Sequence, residues 1–475
     1  MHAGDLNQFF KCFWETNNLF PDWELVQTAV NETEAFAGRE QMILWEQETG
    51  RLAALAESVR HLNHAAQNWR AGKPFWGRHG VIVGLMGKAQ CAIYSGDPFD
   101  VNSSAIVPVN ESSLPALWSF CESGEFSRAV REIDTSLKLA PKTLLKVNFD
   151  LAHWQQVAAE RYPNGLPKPY SDDPSQWLFR GHPVPATDPL QVAVARLLGY
   201  VWPAETDTSM ELSDEARTWT NRSKLMDRHM DDDGIVCLQP VRGEQTAHER
   251  LLALLIDAWE TVAAGSWTPN VLDTLLAQAD NAGKGLAVWL RYSFFEQHAK
   301  RFQHRPFIWH VWDGQKDGFG ALVNAHKLDA KNLERLIHTY LGDWIRTQES
   351  GVTSGADGAP LRLSAAQNLK ARLQAILEGE KPYDIFVRWK PLAQQPIGWQ
   401  PDLNDGIRLN IRPFMTAEVL RVNKKPKLNI TWDKDRGKDV ESAPWFKVFG
   451  GERINDHHLT MAEKIAARRQ TGDLT

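Results

Sequence analysis

Two basic segments of this sequence carry the residue types that bind nucleic acids. The first runs from Lys73 to Lys88 and sets cations and aromatic rings near predicted turns. From such turns lysine and arginine can reach phosphates, and arginine can bind a guanine edge through two hydrogen bonds. The alternative is a solvated sheet edge on which positive charge prevents strand pairing. The residues expected to contact DNA in or just after this segment are Lys73, Trp76, Arg78, His79, Lys88 and Gln90.

The second basic segment runs from Arg421 to Lys438 and holds seven Lys and Arg against Asp433 and Asp435. This concentration favours contact with the DNA backbone, with an affinity that falls steeply as salt rises. A solvated tail is the alternative. Replacing Lys434 and Arg436 by alanine should therefore weaken binding to all DNA sequences alike. The residues expected to contact the backbone are Lys424, Lys425, Lys427, Lys434, Arg436 and Lys438.

Known catalytic motifs are missing from the sequence. Enzymes that methylate the amino group of a base hold it with an Asn/Asp-Pro-Pro-Tyr/Phe loop, and Asp97-Pro98-Phe99, which lacks the second proline, favours a turn. Gly318-Phe319-Gly320 follows a predicted strand, but no β–α alternation surrounds it, so a cofactor-binding sheet is not predicted. Zinc-protease, serine-hydrolase and phosphate-loop motifs are also missing from the sequence. We therefore predict no catalytic residue in this chain.

Metal ligation is not predicted either. The string Asp231-Asp232-Asp233-Gly234 lacks the alternating spacing of a calcium loop and predicts a solvated loop. Three histidines occur from His304 to His326 around Asp313 and Asp317, and there structural roles or phosphate contacts are favoured over a metal site. The four cysteines contain no Cys-x-x-Cys pair, and scattered buried thiols are expected.

Composition sets the class of the protein. The chain has 475 residues, of which 43% are hydrophobic and 24% charged, as in ordinary globular proteins. Its net charge is −6, so any DNA contact must come from a local basic face. The 20 tryptophans are expected mainly as core or interface anchors. The first residues lack a signal pattern and no apolar run reaches the ~18 residues of a membrane span, which predicts a cytoplasmic protein without a membrane partner.

Local patterns predict the elements that would position these residues. Short strands joined by turns are expected from Lys73 to Val109, followed by a helix that Ser113 caps. Helix starts are also predicted at Asp150, Asp188 and Asp329. The remaining predictions are helices over 22–70, 246–300 and 364–377, strands over 307–312, 383–389 and 407–411, and a flexible loop over 350–360.

These elements predict an α+β fold. A small target-recognition-like domain with a mixed sheet and N-terminal helices is expected over 1–162. A mainly helical scaffold domain should follow over 163–350, and a short α/β region with the basic tail over 351–475.

The segment from Pro396 to Arg436 combines an Asp405-Gly406 dipeptide, alternating apolar residues and a basic run. A second notable segment is WGRHGVIVGLMGKAQCAIYSGDPFDVNSSAIVPV (76–109). The others are LPALWSFCESGEFSRAVREID, FDLAHWQQVAAERYPNGLP, DPSQWLFRGHP, DPLQVAVARLLGYVWP, FIWHVWDGQKDGFGALVNAHKLD, LERLIHTYLGDWI and INDHHLTMAEKIAARR. Together these stretches resemble the C-terminal half of large adenine-specific DNA methyltransferases of restriction and phage-defence systems, of the BREX, DISARM or type IIG kind.

In that family the N-terminal half holds the S-adenosylmethionine fold and the Asn-Pro-Pro-Tyr loop. The resemblance here covers the other half, and implies that residues 73–135 belong to its target-recognition portion. It implies double-stranded DNA as one partner and a catalytic methyltransferase chain or another defence-system subunit as the second. No cofactor is expected in this chain, and S-adenosylmethionine would bind the partner. The alternative function is a tryptophan-rich adaptor that binds proteins without reading DNA.

Overall fold

A computed structural model describes residues 1–2, 9–16, 22–61, 65–379 and 406–422 of the chain. Their fold is α+β, with helices and small antiparallel sheets. They fall into two units, each assembled from separate segments of the chain. Unit 1 comprises Met1–Phe13, Asn18–Arg180 and Trp202–Thr218, and unit 2 comprises Trp14–Asn17, Gly181–Val201 and Trp219–Thr475. The boundaries expected after residues 162 and 350 stay predictions.

The strands and helices follow in chain order. The strands are β1 (Phe10–Cys12), β2 (Trp23–Val26), β3 (Gln41–Leu44), β4 (Gly80–Gly84), β5 (Cys91–Tyr94), β6 (Ser103–Ile106), β7 (Ile235–Cys237), β8 (Ile308–Trp312) and β9 (Gly320–Asn324). The first helices are α1 (Arg51–Ser58), α2 (Leu114–Glu122), α3 (Glu125–Ile133), α4 (Pro141–Leu144), α5 (Leu151–Arg161), α6 (Pro189–Leu197), α7 (Pro203–Thr206) and α8 (Asp214–Ser223). The later helices are α9 (Ala247–Glu260), α10 (Pro269–Gln278), α11 (Leu286–Tyr292), α12 (Phe294–Arg301), α13 (Ala330–Glu334), α14 (Leu341–Ser354), α15 (Ala359–Glu378), α16 (Ile407–Asn410) and α17 (Arg412–Thr416).

The first sheet of unit 1 corrects the helix predicted over 22–70. Its order is β1-β3-β2, with both pairings antiparallel, and only Arg51–Ser58 in that region forms an α-helix among the described residues. Met42, Ile43 and Leu44 of the central strand are buried. A continuous apolar run of this kind fits a buried strand as well as a helix, so its periodicity could not decide between them.

The second sheet of unit 1 confirms the short strands predicted over 73–109. Its order is β5-β4-β6, and β4 pairs antiparallel with both neighbours. The sequence predicted a mixed sheet, whereas both of these pairings are antiparallel. The five residues of β4 are all buried. Ile82 of β4 packs with Ala92, Tyr94 and Phe99 in a small core. The α2 helix packs on this sheet and buries Leu117, Phe120 and Cys121, as predicted.

Helix starts in both units match the capping residues predicted from sequence. The Asp150 carboxylate accepts from the backbone N–H of His153 at 3.1 Å, and the Asp329 carboxylate accepts from that of Asn332 at 2.8 Å. Asp188 precedes α6 but makes no capping hydrogen bond through its side chain. Ser113 likewise precedes α2 without a side-chain cap, although the helix begins there.

Unit 2 is built around the sheet β7-β9-β8, in which both pairings are antiparallel. The strand predicted over 307–312 is confirmed as β8, and the helices predicted over 246–300 are confirmed as α9 to α12. The central strand β9 is buried throughout. A π-helix, Arg335–Tyr340, joins α13 to α14.

Two predictions near the C-terminal end of unit 2 are wrong. The stretch 350–360 is not a flexible loop, because α14 continues to Ser354 and α15 begins at Ala359. The stretch 407–411 is helical rather than extended: the N–H of Ile411 donates to the carbonyl of Ile407 at 3.0 Å, and both side chains are buried. Isoleucines four residues apart share one face of a helix, so the pattern fits both structures. The strand predicted over 383–389 lies outside the described residues.

The tryptophans and thiols of the described ranges lie in or beside the core. Every tryptophan in the described ranges is buried or half-buried, and none is exposed. Cys12, Cys91, Cys121 and Cys237 are buried and free, as predicted. No helix in the described part of the chain has both the length and the apolarity needed to cross a bilayer.

Candidate nucleic-acid interface

The sheet β5-β4-β6 separates the first set of predicted DNA-binding residues into two groups. Arg78 and His79 come directly before β4, whereas Lys88 and Gln90 lie in the turn between β4 and β5. At about 3.4 Å per residue, the five residues of β4 place its two ends roughly 14 Å apart. The segment from Lys73 to Gln90 therefore does not form one continuous contact site.

Two residues of the group before β4 already contact carboxylates within unit 1. The Lys73 ammonium contacts both carboxylate oxygens of Glu48, at 2.6 and 2.7 Å. His79 Nε2 lies 3.5 Å from the carboxylate of Glu211. A side chain that already contacts a carboxylate must lose that contact to bind a phosphate, so these two residues are weaker candidates than they appeared from sequence.

Trp76 and Arg78 complete this group in different ways. The Trp76 ring is half-buried and packs at a steep angle against Trp45, with centroids 5.5 Å apart. Arg78 is exposed, and its side chain has no partner among the residues that the structure describes. Arg78 therefore remains the cation of this group that is available to a phosphate.

The turn between β4 and β5 is anchored on α3. The guanidinium of Arg131 donates to the carbonyl of Gly87, and the Ser127 hydroxyl donates to the carbonyl of Ala89 at 2.9 Å. Lys88 lies between these two anchor points and is exposed. Gln90 has a structural role, because its side-chain oxygen accepts from the Thr33 hydroxyl at 2.6 Å.

This anchoring brings Lys88 to cations that the sequence did not single out. Arg128 follows Ser127 on α3 and is exposed, and neither it nor Lys88 has a side-chain partner in the described ranges. Lys138 is exposed as well and lies 3.5 Å from the side-chain oxygen of Asn102. Residue 138 also pairs with Met86 of the turn through a β-bridge. We call Lys88, Arg128, Arg131 and Lys138 the turn surface.

Acidic residues near the turn surface limit its charge. Glu125 and Glu132 are exposed on α3. Asp134 follows α3, and hydrogen bonds from Ser136 hold the pKa of its carboxyl below the usual value, so it stays ionised. The surface is thus moderately rather than strongly basic, and the two cations without partners are its most available contacts. The sequence shows only that Arg128 lies on the polar face of an amphipathic helix. Most surface arginines share this property, so the pattern did not single out Arg128.

Only the start of the second basic segment belongs to the described part. The Arg421 guanidinium stacks over the Trp312 ring at 4.2 Å, and its Nε donates to the carbonyl of Arg291 at 3.1 Å. The backbone N–H of Arg421 donates to the carbonyl of His310 at 2.8 Å. This arginine therefore fixes the chain to β8 of unit 2. The predicted contacts Lys424, Lys425, Lys427, Lys434, Arg436 and Lys438 lie outside the described residues.

The candidate catalytic string Asp97-Pro98-Phe99 serves the core of unit 1. It lies in the connection between β5 and β6, where the carbonyl of Pro98 accepts from the N–H of Gln27 at 2.9 Å. Phe99 meets Tyr94 edge-on with centroids 5.6 Å apart. Burial raises the pKa of Asp97, and the positive charge of Arg39 offsets part of this rise.

His326, Asp313 and Asp317 of unit 2 have structural partners. His326 Nε2 lies 2.9 Å from the carbonyl of Trp14, and Asp317 pairs with Arg362 at 2.8 Å. Asp313 closes the β8–β9 turn by accepting from the N–H groups of Gln315 and Phe319, at 3.0 and 2.8 Å. No group of three or more His, Cys, Asp or Glu that could hold a metal occurs within the described residues.

The acidic stretch 231–233 is not the solvated loop that its composition predicted. Asp233 is buried and accepts from Arg335 at 2.8 Å and from the Tyr340 hydroxyl at 3.0 Å. Asp231 pairs with Arg250 at 2.8 Å, while Asp232 is exposed. Arginines distant in sequence therefore decide the burial of this stretch.

Comparison of the sequence with protein-family models and with curated proteins gives no match.

Proposed function

We propose that this chain is the DNA-recognition and scaffold part of an N6-adenine DNA methyltransferase of a restriction or phage-defence system. It would act in the cytoplasm on double-stranded DNA. A partner chain would bind S-adenosylmethionine, flip the adenine and transfer the methyl group. The sequence resemblance is the source of this proposal, and the observation that supports it most is the pair Lys88 and Arg128, two exposed cations without partners in the described residues.

The arrangement of the turn surface suits contact with the DNA backbone. A tight turn carries Lys88 and a helix carries Arg128, and hydrogen bonds of Arg131 and Ser127 hold the two elements together. Lys88 and Arg128 need not break an ion pair to bind a phosphate. The main free-energy cost of the contact is therefore the conformational entropy that their side chains lose. Such contacts position a protein on DNA without reading its sequence. Base readout would fall to Arg78 at the other end of β4.

The test is DNA binding by the full chain over a range of salt concentrations. The double variant Lys88→Ala/Arg128→Ala should weaken binding to all duplexes alike and lower the slope of log affinity against log salt by about 2, because each phosphate that the protein neutralises adds ~0.9 to that slope. The control Lys316→Ala/Lys331→Ala removes two exposed cations of unit 2 and should leave the slope unchanged. Equal slopes for both double variants would refute the turn surface as a DNA-binding site.

The adaptor alternative predicts that the chain does not bind DNA even at low salt. The tryptophans weigh against it for the described part of the chain, because none there offers an exposed ring to a partner. A separate assay addresses catalysis: the chain alone should transfer no methyl group from S-adenosylmethionine to DNA. Clear incorporation of methyl groups would show that it contains a catalytic site.

A further inference from the structure

Exposed aliphatic side chains lie among the cations of the turn surface in unit 1. Met86, in the turn between β4 and β5, is 42% exposed, and Leu137, directly before Lys138, is 76% exposed. Val101, in the connection between β5 and β6, is 42% exposed as well. Single exposed aliphatic residues are ordinary, whereas a group of them with a polar rim indicates a contact surface.

Backbone hydrogen bonds bring these three residues together. The N–H of Leu139 donates to the carbonyl of Leu85 at 2.8 Å, and the N–H of Leu85 donates to the carbonyl of Asn102 at 2.7 Å. Segments paired in this way run about 4.8 Å apart, and each of the three exposed residues lies within two positions of these bonds. They therefore form one group, which we call the apolar ridge: Val101, Met86 and Leu137.

The β-bridge between Met86 and Lys138 sets an aliphatic and a cationic side chain on the same face. Residues directly opposite each other in an antiparallel pair project to one side, and their chain neighbours project to the other. The neighbours Leu85 and Leu139 are buried. Met86 and Lys138 therefore both face away from the core of unit 1.

The segments that carry the apolar ridge have a net positive charge. Residues 85–90, 100–102 and 133–146 contain two carboxylates, those of Asp100 and Asp134, against four lysines: Lys88, Lys138, Lys142 and Lys146. All four lysines are exposed, whereas both carboxylates are half-buried. The two arginines and two glutamates of α3 balance each other. A ligand of the ridge should therefore combine negative charge with an apolar face.

Duplex DNA combines these two properties, because its anionic backbone flanks base pairs whose faces are apolar. Proteins that bend DNA from the minor groove insert methionine or leucine side chains between neighbouring base pairs and partly unstack them. Lys88 lies two positions from Met86 along the chain, and Lys138 lies across the β-bridge. The two lysines are thus placed on different sides of an inserted Met86, where phosphates would flank it.

We propose that the apolar ridge inserts Met86 and Leu137 into one base-pair step of duplex DNA, while Lys88 and Lys138 contact the flanking phosphates. Insertion rests on the proposed function and deepens it, since it names the state of the DNA that the turn surface prefers. The cost of unstacking differs between base-pair steps and is lower at a mismatch. The ridge therefore favours easily opened steps without hydrogen bonds to the bases.

Binding of the full chain to a matched duplex and to the same duplex with one central mismatch tests the insertion. The wild-type chain should bind the mismatched duplex about tenfold more tightly, because less free energy is spent on unstacking. Met86→Ala/Leu137→Ala should bind both duplexes alike and keep the slope of log affinity against log salt, since the lysines remain. The control Val352→Ala/Leu361→Ala removes two exposed aliphatic residues of unit 2 and should keep the preference.

Two outcomes would overturn the insertion and leave the proposed function in place. In one, the wild-type chain binds both duplexes alike, and the ridge is then a surface for a protein partner. In the other, Met86→Ala/Leu137→Ala keeps the preference. Absence of binding to either duplex at low salt would refute the proposed function, and insertion with it.

A conservative variant separates insertion from a loss of folded structure. Met86→Leu/Leu137→Met keeps two aliphatic side chains at the ridge and should retain the tenfold preference. Because both residues are exposed, this variant and Met86→Ala/Leu137→Ala should melt at the temperature of the wild-type chain. Loss of the preference in the conservative variant at an unchanged melting temperature would also overturn the insertion.

Discussion

Asp231 and Arg250 of unit 2 form an ion pair at 2.8 Å, which fixes the turn that precedes β7. The second carboxylate oxygen of Asp231 accepts from three successive backbone N–H groups, those of residues 233, 234 and 235, at 3.1, 2.8 and 3.1 Å. Burial raises the pKa of Asp231, but a hydrogen bond with the Asp233 carboxyl, the Arg250 ion pair and the N–H of Ile235 together hold it below its usual value. The carboxylate of Asp231 thus accepts the hydrogen bonds of a turn whose acidic composition alone predicted a solvated loop.

Asp231→Ala should lower the free energy of unfolding by about 2–3 kcal/mol, because a mostly buried guanidinium and three backbone donors lose their acceptor. Asp232→Ala, at the adjacent exposed position, should leave it nearly unchanged. Urea unfolding of the two variants measures the difference. Equal stabilities would show that the carboxylate of Asp231 contributes nothing to the turn.

Two buried histidines of unit 2 should differ in how much stability they lose on the same substitution. His298→Leu removes the partners of Ile308 N–H and Gln191 and should cost about 2–3 kcal/mol. Neither ring nitrogen of His310 has a hydrogen-bond partner in the described part of the chain. His310→Leu therefore removes two unsatisfied polar atoms and should change stability by less than about 1 kcal/mol, or raise it. A thermal melt of each variant at pH 7.5 compares them.

Unit 2 should lose stability as the pH falls from 6.5 towards 3. Burial lowers the pKa values of His182, His298 and His310 to about 3, from an ordinary value of 6.5. In this window the unfolded chain binds protons that the folded chain does not, so each histidine lowers the unfolding free energy by about 1.4 kcal/mol per pH unit. Above pH 6.5 this contribution is constant.

Urea unfolding at pH 7.5, 6.0 and 5.0 measures the loss, and His310→Leu should reduce its slope because one of the three groups is gone. A slope that does not differ between this variant and the wild-type chain would contradict the assignment of His310 as one of the responsible groups.

Arg39 should resist replacement by lysine. It is 1% exposed, and one guanidinium nitrogen donates to both the carbonyl of Ile93 at 3.0 Å and the Ser95 hydroxyl at 2.6 Å. Its guanidinium also lies against the ring of Trp177 at 5.8 Å. A lysine cannot reproduce this planar set of contacts, so Arg39→Lys should cost about 2–4 kcal/mol.

The matched control is Arg70→Lys, which also places a cation over a tryptophan, Trp69, but at a half-exposed surface position. It should melt close to the wild-type chain. If both variants lose similar stability, burial is not what makes Arg39 hard to replace.

The features that the sequence determined by itself are those set within a few residues. Asp150 and Asp329 begin helices because their carboxylates satisfy N–H groups three positions later. The short strands from Gly80 to Ile106 follow from apolar runs between turn residues, which only neighbouring strands can bury. The absence of catalytic motifs is likewise a property of the sequence alone.

Tertiary structure decided whatever depended on distant partners. Pairing with β1 and β2 makes Gln41–Leu44 a strand. The sequence could not decide this, because a continuous apolar run fits a helix and a strand equally well. Glu48 and Glu211 contact Lys73 and His79, which looked available for DNA. Hydrogen bonds from α3, the helix that carries Arg128, hold the turn that carries Lys88. The side-chain oxygen of Gln191 finds its partner in His298, 107 positions away, because a hydrogen bond acts through space rather than along the chain.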